Sequence, residues 1–130
     1  MPPEPIKIVA IDDDQTILDI YEVGLGVMGY DVKTFLNPVK GRDYILSDTL
    51  PDIILVDIML PDIDGMTLIK EFRSNPKTSN IPIIAVSGLS DAKTLKTALA
   101  AGALNYVVKP FNIDDLAAKI NTACAGRKRV

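Results

Sequence analysis

Histidine is absent from all 130 residues of this chain, and cysteine occurs once. Without histidine, the commonest general base and the commonest transition-metal ligand are both missing, which excludes serine–histidine triads and zinc hydrolases. The single cysteine, Cys124, cannot form an internal bridge. It falls in a helix-like run, where it reads as a small buried or half-buried side chain suited to a reducing compartment. No apolar stretch approaches the roughly 20 residues of a membrane span, and Met1–Pro5 is not a signal peptide. Positive charge is not in excess either. The formal net charge is −3, and the one basic run, Arg127-Lys128-Arg129, is too short to argue for direct nucleic-acid binding. These absences fit a soluble cytoplasmic protein with no membrane partner.

What is present is one domain's length of chain, 48% apolar, enough for a core without disulfide or metal staples. The expected layout is a loose, proline-rich tail over residues 1–6, a domain over 7–125, and a basic tail or linker start over 126–130. An apolar run over Ile6–Ile11 ends at Asp12-Asp13-Asp14. Thr16 to Met28 carries Ile17, Ile20, Tyr21, Gly24 and Met28 at helical spacing, and Gly29 can close that helix. Asp31–Phe35 reads as an edge strand. Asn37-Pro38 is an N-cap followed by proline at the first helical position, though Gly41 weakens the helix after it.

Pro51 and Asp52 introduce Ile53-Ile54-Leu55-Val56, a branched apolar run of the kind buried on both faces in a parallel sheet, which runs straight into Asp57. Pro61 and Gly65 then punctuate a loop. A helix over Gly65–Arg73 turns Met66, Ile69 and Phe72 inward, and Ile81–Val86 is a second apolar run, ending at Ser87-Gly88. Ser90 is the candidate cap of a helix with Leu95, Ala98 and Leu99 on one side, closed by Gly102. Leu104–Val108 ends at Lys109-Pro110, and Asn112 caps a last helix with Leu116, Ile120 and Cys124 inward. Five strands alternating with five helices predict a doubly wound α/β sandwich, a parallel sheet with helices on both faces. In such folds functional groups collect at the carboxyl ends of the strands, where Asp12, Asp13, Asp57, Ser87 and Lys109 all fall.

Asp12, Asp13 and Asp57 brought together would repel one another and raise each other's pKa. A hard divalent cation resolves the conflict. Mg²⁺ keeps several waters and needs few protein oxygens, so two carboxylates and a backbone carbonyl suffice, with the Met59 carbonyl a further candidate. A carboxylate beside Mg²⁺ can act as a nucleophile toward phosphorus. Lys109 supplies a point charge and Ser87 a hydroxyl for the transferring phosphoryl, and Gly88 leaves room for it to enter. Singly, each residue has a plainer role: Asp14 caps the first helix, Ser87 makes a turn, Lys109 is a solvated charge. Their joint placement at strand ends favours phosphoryl transfer to Asp57.

At these residues the chain resembles the CheY-like receiver domain of bacterial two-component response regulators, over about Lys7 to Cys124. The matching stretches are Ile8–Asp13, Pro51–Asp57, Met59, Pro61, Asp64-Gly65, Ile81–Gly88 and Ala101–Phe111. The resemblance implies a (βα)5 fold with strand order 2-1-3-4-5. It also implies that Asp57 accepts phosphate from the phosphohistidine of a sensor histidine kinase or phosphotransfer protein. Asp12 and Asp13 would hold Mg²⁺ (or Mn²⁺), Asp13 more directly, and Ser87 and Lys109 would bind the phosphoryl oxygens. Lys109-Pro110 would be a cis peptide. Tyr106, otherwise a half-buried strand tyrosine, would turn inward with Ser87 and alter the face formed by the fourth helix, fifth strand and fifth helix. That face would meet a downstream protein or a fused output domain, and a phosphorylation-dependent homodimer is compatible with it. Such a domain catalyses its own aspartyl phosphorylation and slow dephosphorylation without being a conventional enzyme.

Met59 and Leu89, two residues past Asp57 and Ser87, are apolar and cannot orient an attacking water, so self-dephosphorylation should be slow. Two alternatives stand beside this reading. A haloacid-dehalogenase-like phosphatase would use Asp12 as nucleophile, but Gln15 replaces its expected glycine and Asp57 is left without a task. A receiver-fold docking module would never be phosphorylated at all.

Overall fold

The computed structural model describes residues 4–47, 50–60 and 63–125. The expectations for Met1–Pro3, Pro61 and the basic tail Arg127-Lys128-Arg129 concern residues outside these. Strands β1 (Lys7–Ile11), β2 (Asp31–Phe35), β3 (Ile53–Asp57), β4 (Ile83–Ser87) and β5 (Asn105–Val108) alternate with helices α1 (Gln15–Ile20), α2 (Pro38–Leu46), α3 (Gly65–Ser74), α4 (Ala92–Ala101) and α5 (Ile113–Cys124). Every pairing is parallel and the order is β2-β1-β3-β4-β5, with β2 at an edge as expected. Ile6, assigned above to the loose tail, is instead half-buried, and its carbonyl accepts from the Asp31 amide at 3.0 Å.

Successive side chains of a strand point to opposite faces, so the apolar runs feed two cores at once. Val9, Ile11, Ile54, Val56, Ile83 and Ala85 pack under α2, α3 and α4, against Ile45, Leu68, Ile69, Phe72 and Ala98. Ile8, Ala10, Ile53, Leu55, Ile84 and Val86 pack under α1 and α5, against Leu18, Tyr21, Leu25, Leu116 and Ile120. β3 and β4 are buried along their whole length, which is why they read as unbroken Ile/Leu/Val runs.

Local signals explain most helix starts. Asp14 accepts from the Thr16 amide, Asn37 from Val39 and Lys40, and Asn112 from Asp114 and Asp115. The fourth cap differs from expectation. Asp91, not Ser90, accepts from the Thr94 amide, so α4 starts one residue later than Ser90 would place it. α2 forms through Gly41 all the same. A β-carbon there would lie 2.8 Å from Ile11 Cδ1, and its absence lets the helix close onto β1.

Two inward faces also differ. In the first helix Leu18, Tyr21 and Leu25 are buried, whereas Ile20 and Met28 are about two-fifths exposed and Ile17 is half-buried. Helical spacing alone admits both sets, which share Tyr21; the one aimed at the sheet is set by packing. The helix continues as a π-helical turn over Tyr21–Leu25. In α4 the small residues Ala98 and Ala101 are buried, whereas Leu95 and Leu99 are about two-fifths exposed.

Candidate functional site

Strand register brings the acidic residues level. Ile11 pairs with Val56, so Asp12 and Asp57 each stand one step further, side by side at the carboxyl ends of β1 and β3. Asp57 pairs with Val86 and Ser87 with Val108, which sets Ser87 and Lys109 one step beyond on the next two strands. The Lys109 amide donates to the Ser87 carbonyl at 2.8 Å, so the lysine leaves β5 aimed by β4. The Lys109-Pro110 peptide is cis.

The turn after β3 is equally constrained. The Gly65 amide donates to the Ile58 carbonyl at 3.0 Å, and a β-carbon at Gly65 would lie 2.3 Å from the Asp57 carbonyl oxygen. Only glycine lets α3 begin this close to the backbone of Asp57. The Met59 amide donates to Asp57 Oδ1 at 2.9 Å, which fixes the carboxylate's orientation.

Carboxylate oxygens of Asp12, Asp13 and Asp57 all lie within 4.8 Å of one another. Asp12 and Asp57 are buried, and Asp13 is exposed at the mouth. The Lys109 ammonium sits between the two buried carboxylates, 2.8 Å from Asp12 Oδ2 and 3.0 Å from Asp57 Oδ2. Its aligned hydrogen bond goes to Asp57, and Asp12 Oδ2 is buried without a directed donor among the described residues. Asp12 Oδ1 accepts from the Asp14 amide at 3.0 Å.

Burial pushes the Asp12 carboxyl up to about 6, and the Asp57 charge adds to the rise against the downward pull of the Lys109 ammonium. Burial works to lower the Lys109 pKa, but its hydrogen bonds and charge contacts with Asp12 and Asp57 outweigh that and hold it above the ordinary lysine value. One ammonium therefore serves the two buried carboxylates, with the Asp13 carboxylate close to both. Two buried carboxylates that share one ammonium, with a third carboxylate in reach, are a donor set for a hard divalent cation: all oxygen, negative, and open on the Asp13 side. The residues present fit Mg²⁺.

Ser87 is fully buried, its Oγ accepting from the Leu89 amide at 3.1 Å. Tyr106 is 8% exposed, and its hydroxyl donates to the Leu89 carbonyl at 2.7 Å. The two side chains thus hold opposite ends of the same residue in the β4–α4 loop. Space around Gly88 is open, and a side chain there would meet nothing within 4 Å, so crowding does not demand glycine at that position. The structure brings Asp12, Asp13, Asp57 and Lys109 into one cluster, with Ser87 on the adjoining strand end.

Sequence reasoning missed Arg73. Its guanidinium donates to the carbonyls of Gly102, Ser79 and Ile81, tying the end of α3 to the end of α4. Nothing in its sequence neighbourhood marks it apart from other helix-end arginines.

Comparisons with known proteins agree with this geometry. The family model described as the response regulator receiver domain matches residues 8–121. The transcriptional regulatory protein KdpE of Staphylococcus aureus is 41% identical over 114 residues, which cover 88% of this chain and 48% of that protein. The DNA-binding dual master transcriptional regulator RpaA of Synechocystis is 30% identical over 124 residues, covering 95% and 51%. The chain spans about half the length of these relatives. Among solved structures, a CheY-like response regulator receiver domain protein from Methanospirillum hungatei superposes with a TM-score of 0.85 at 28% identity, covering 95% of this chain and 96% of that one. A two-component response regulator from Clostridium difficile gives 0.87 at 27%, covering 95% and 99%. With its acidic cluster, lysine and strand order in place, the chain belongs to the family of response regulator receiver domains of two-component systems.

Proposed function

We propose that this domain accepts a phosphoryl group on Asp57 from the phosphohistidine of a sensor histidine kinase or a phosphotransfer protein. In the transfer the P–N bond breaks as a bond forms between phosphorus and an Asp57 oxygen, and the imidazole leaves. Asp57 is oriented for attack by the Met59 amide and neutralised in part by Lys109. Asp12, Asp13, Asp57 and the Met59 carbonyl would hold Mg²⁺ (or Mn²⁺), which supplies charge stabilisation to the phosphoryl oxygens. Lys109 follows the developing negative charge, and Ser87 offers its hydroxyl to a phosphoryl oxygen.

The observation that carries this reading is the Lys109 ammonium within 3.0 Å of both buried carboxylates, with the Asp13 carboxylate close to the same pair. In the switching step Ser87 Oγ exchanges the Leu89 amide for the phosphoryl, freeing the loop that Tyr106 also holds. The face formed by α4, β5 and α5 then changes its affinity for a downstream protein or fused output domain. Among the described residues no helix is long and apolar enough to cross a membrane, in keeping with a cytoplasmic place of action.

Intact mass after incubation with acetyl phosphate tests the reading, with and without Mg²⁺, on wild type and Asp57→Asn. The expected result is a Mg²⁺-dependent gain of one phosphoryl group that the variant lacks. Absence of any gain would favour a docking module that keeps the fold without the chemistry. Release of phosphate that survives Asp57→Asn but not Asp12→Asn would restore the phosphatase alternative.

A further inference from the structure

Lys109 is aimed from two directions. Its own amide is held by the Ser87 carbonyl, but the chain beyond it must also be fixed, or the ammonium would swing away from Asp57. That chain is Phe111 to Ile113, and what it rests on is the π-helical turn Tyr21–Leu25. The Tyr21 ring lies nearly parallel to Phe111, with centroids 5.6 Å apart and planes 6° apart. Three residues on, a β-carbon at Gly24 would lie 2.8 Å from Ile113 Cγ1, so that side chain occupies the space glycine leaves. The same turn therefore grips the residues on either side of Asn112, the cap of α5. π-Helical turns inside α-helices are uncommon and recur at functional sites.

Tyr21 is 1% exposed and heads the fully buried side chains by size, so its ring has no freedom to follow a moving Phe111. Burial pushes its pKa up, and the charges of Asp12 and Asp57 add to that rise, which sets the ring inside the field of the carboxylate cluster.

We propose that Tyr21 is a positioning residue for Lys109: its ring, stacked on Phe111, fixes the β5–α5 connection so that the ammonium stays over Asp57. The inference rests on the phosphoryl-acceptor reading. Lys109 is not among the metal donors but competes with a cation for Asp12 and Asp57, so loosening the stack should slow phosphoryl uptake without weakening metal binding. An aromatic pair of this geometry corresponds to about a two- to tenfold change in the population of the aligned lysine.

The test uses Tyr21→Leu, Tyr21→Phe, Phe111→Leu and the Leu/Leu double variant in the whole chain. Phosphoryl uptake from acetyl phosphate is followed by intact mass, and Mg²⁺ affinity by titration calorimetry. Acylation of Lys109 relative to Lys119 by an amine-reactive ester, without metal or phosphate, is read by peptide mass. Both single leucine variants should slow uptake about two- to tenfold and raise Lys109 acylation, with no fall in Mg²⁺ affinity. The double variant should be no slower than either single one, and Tyr21→Phe should behave as wild type.

Wild-type uptake in both leucine variants would overturn the proposal, as would a fall in Mg²⁺ affinity in step with the rate, which marks general loosening. A Tyr21→Phe variant as slow as Tyr21→Leu would also overturn it, moving the role from the ring to the hydroxyl. If Tyr21→Leu fails to fold, half-buried Phe111→Leu carries the test from the other side of the stack. If wild type takes up no phosphoryl group, the functional reading fails, and the acylation pattern still decides the stack.

Discussion

Replacing Asp12 with asparagine should stabilise the metal-free protein near neutral pH, although it removes a buried ion pair. Asp12 is almost wholly buried, with a side chain 1% exposed, and its carboxyl is raised from 3.8 to about 6. At 1.36 kcal/mol per pH unit, holding it ionised costs the folded state about 3 kcal/mol above pH 7. That figure already contains the attraction to Lys109, since the shift is the net of burial, Lys109 and Asp57. Asparagine keeps an oxygen for the Asp14 amide, now bonded to Oδ1 at 3.0 Å. Its amide donor, however, would face the Lys109 ammonium, and that conflict cancels part of the gain. A net stabilisation of about 1–2 kcal/mol is expected, or about 4–8 °C in Tm for a domain of this size.

The sign of the pH dependence follows from the same shift. A carboxyl raised in the folded state contributes stability that is full below pH 3.8 and is lost as pH rises through about 6. Wild type therefore gains on acidification from pH 7 toward pH 4 as Asp12 protonates, whereas the variant has no proton to take up there. Urea unfolding in EDTA at several pH values is the assay. The gap between variant and wild type should be widest above pH 7 and close toward pH 4. Adding Mg²⁺ should reverse the order, because wild type gains binding free energy that a two-carboxylate site matches poorly. A variant less stable than wild type at pH 7.5 without metal, or a gap independent of pH, would refute the electrostatic account.

Tyr106→Ala removes the hydroxyl that holds the Leu89 carbonyl without touching a carboxylate. It should leave phosphoryl uptake within about twofold of wild type and abolish the phosphorylation-dependent change in amide exchange across α4; an unchanged exchange response would sink the switch role. Met59 and Leu89 are 59% and 40% exposed, so both flank the site without offering an acceptor for water. The aspartyl phosphate should therefore persist for minutes or longer, and a lifetime of seconds would contradict this. Met59→Asn supplies an amide oxygen there and should shorten the lifetime.

Strand identity was the most legible part of the chain because β3 and β4 are buried on both faces, and only branched apolar runs satisfy that environment. The acidic end of β1, Asp57, Ser87 and Lys109 were legible for a related reason: a polar residue ending such a run is placed by the register itself. Helix faces were less so. The first helix offers two apolar sets at acceptable spacing, Ile17/Ile20/Gly24/Met28 and Leu18/Leu25, both including Tyr21. The choice lies with the sheet beneath it, which no local pattern encodes. In α4 leucine outranks alanine in hydrophobicity, yet Ala98 and Ala101 face inward. Gly41 misled as well: propensity scores the isolated helix, whereas its contact with Ile11 is tertiary. Arg73 and the Tyr21–Phe111 stack join residues 29 and 90 positions apart, beyond the reach of any local spacing rule.

The carboxylate cluster links stability to function through one imbalance. Three acidic groups cluster where one ammonium pairs with two of them, and the least accessible, Asp12, carries the strain as a carboxyl raised to about 6. A core optimised for stability alone would replace one carboxylate with an amide, as the Asp12→Asn variant does. Retaining all three leaves the apo site with unspent attraction for cations. On the proposed function, that attraction would be satisfied when a divalent ion binds and redistributed when a phosphoryl group adds negative charge at Asp57. Lys109 is the one ammonium common to both arrangements, which is why the chain holds its backbone on β4 and its following residues on the π-helical turn. A lysine free to choose between Asp12 and Asp57 would blunt the difference between the two states. One fixed within 3.0 Å of both would, on the proposed function, convert that added charge into a change of loop contacts at Leu89.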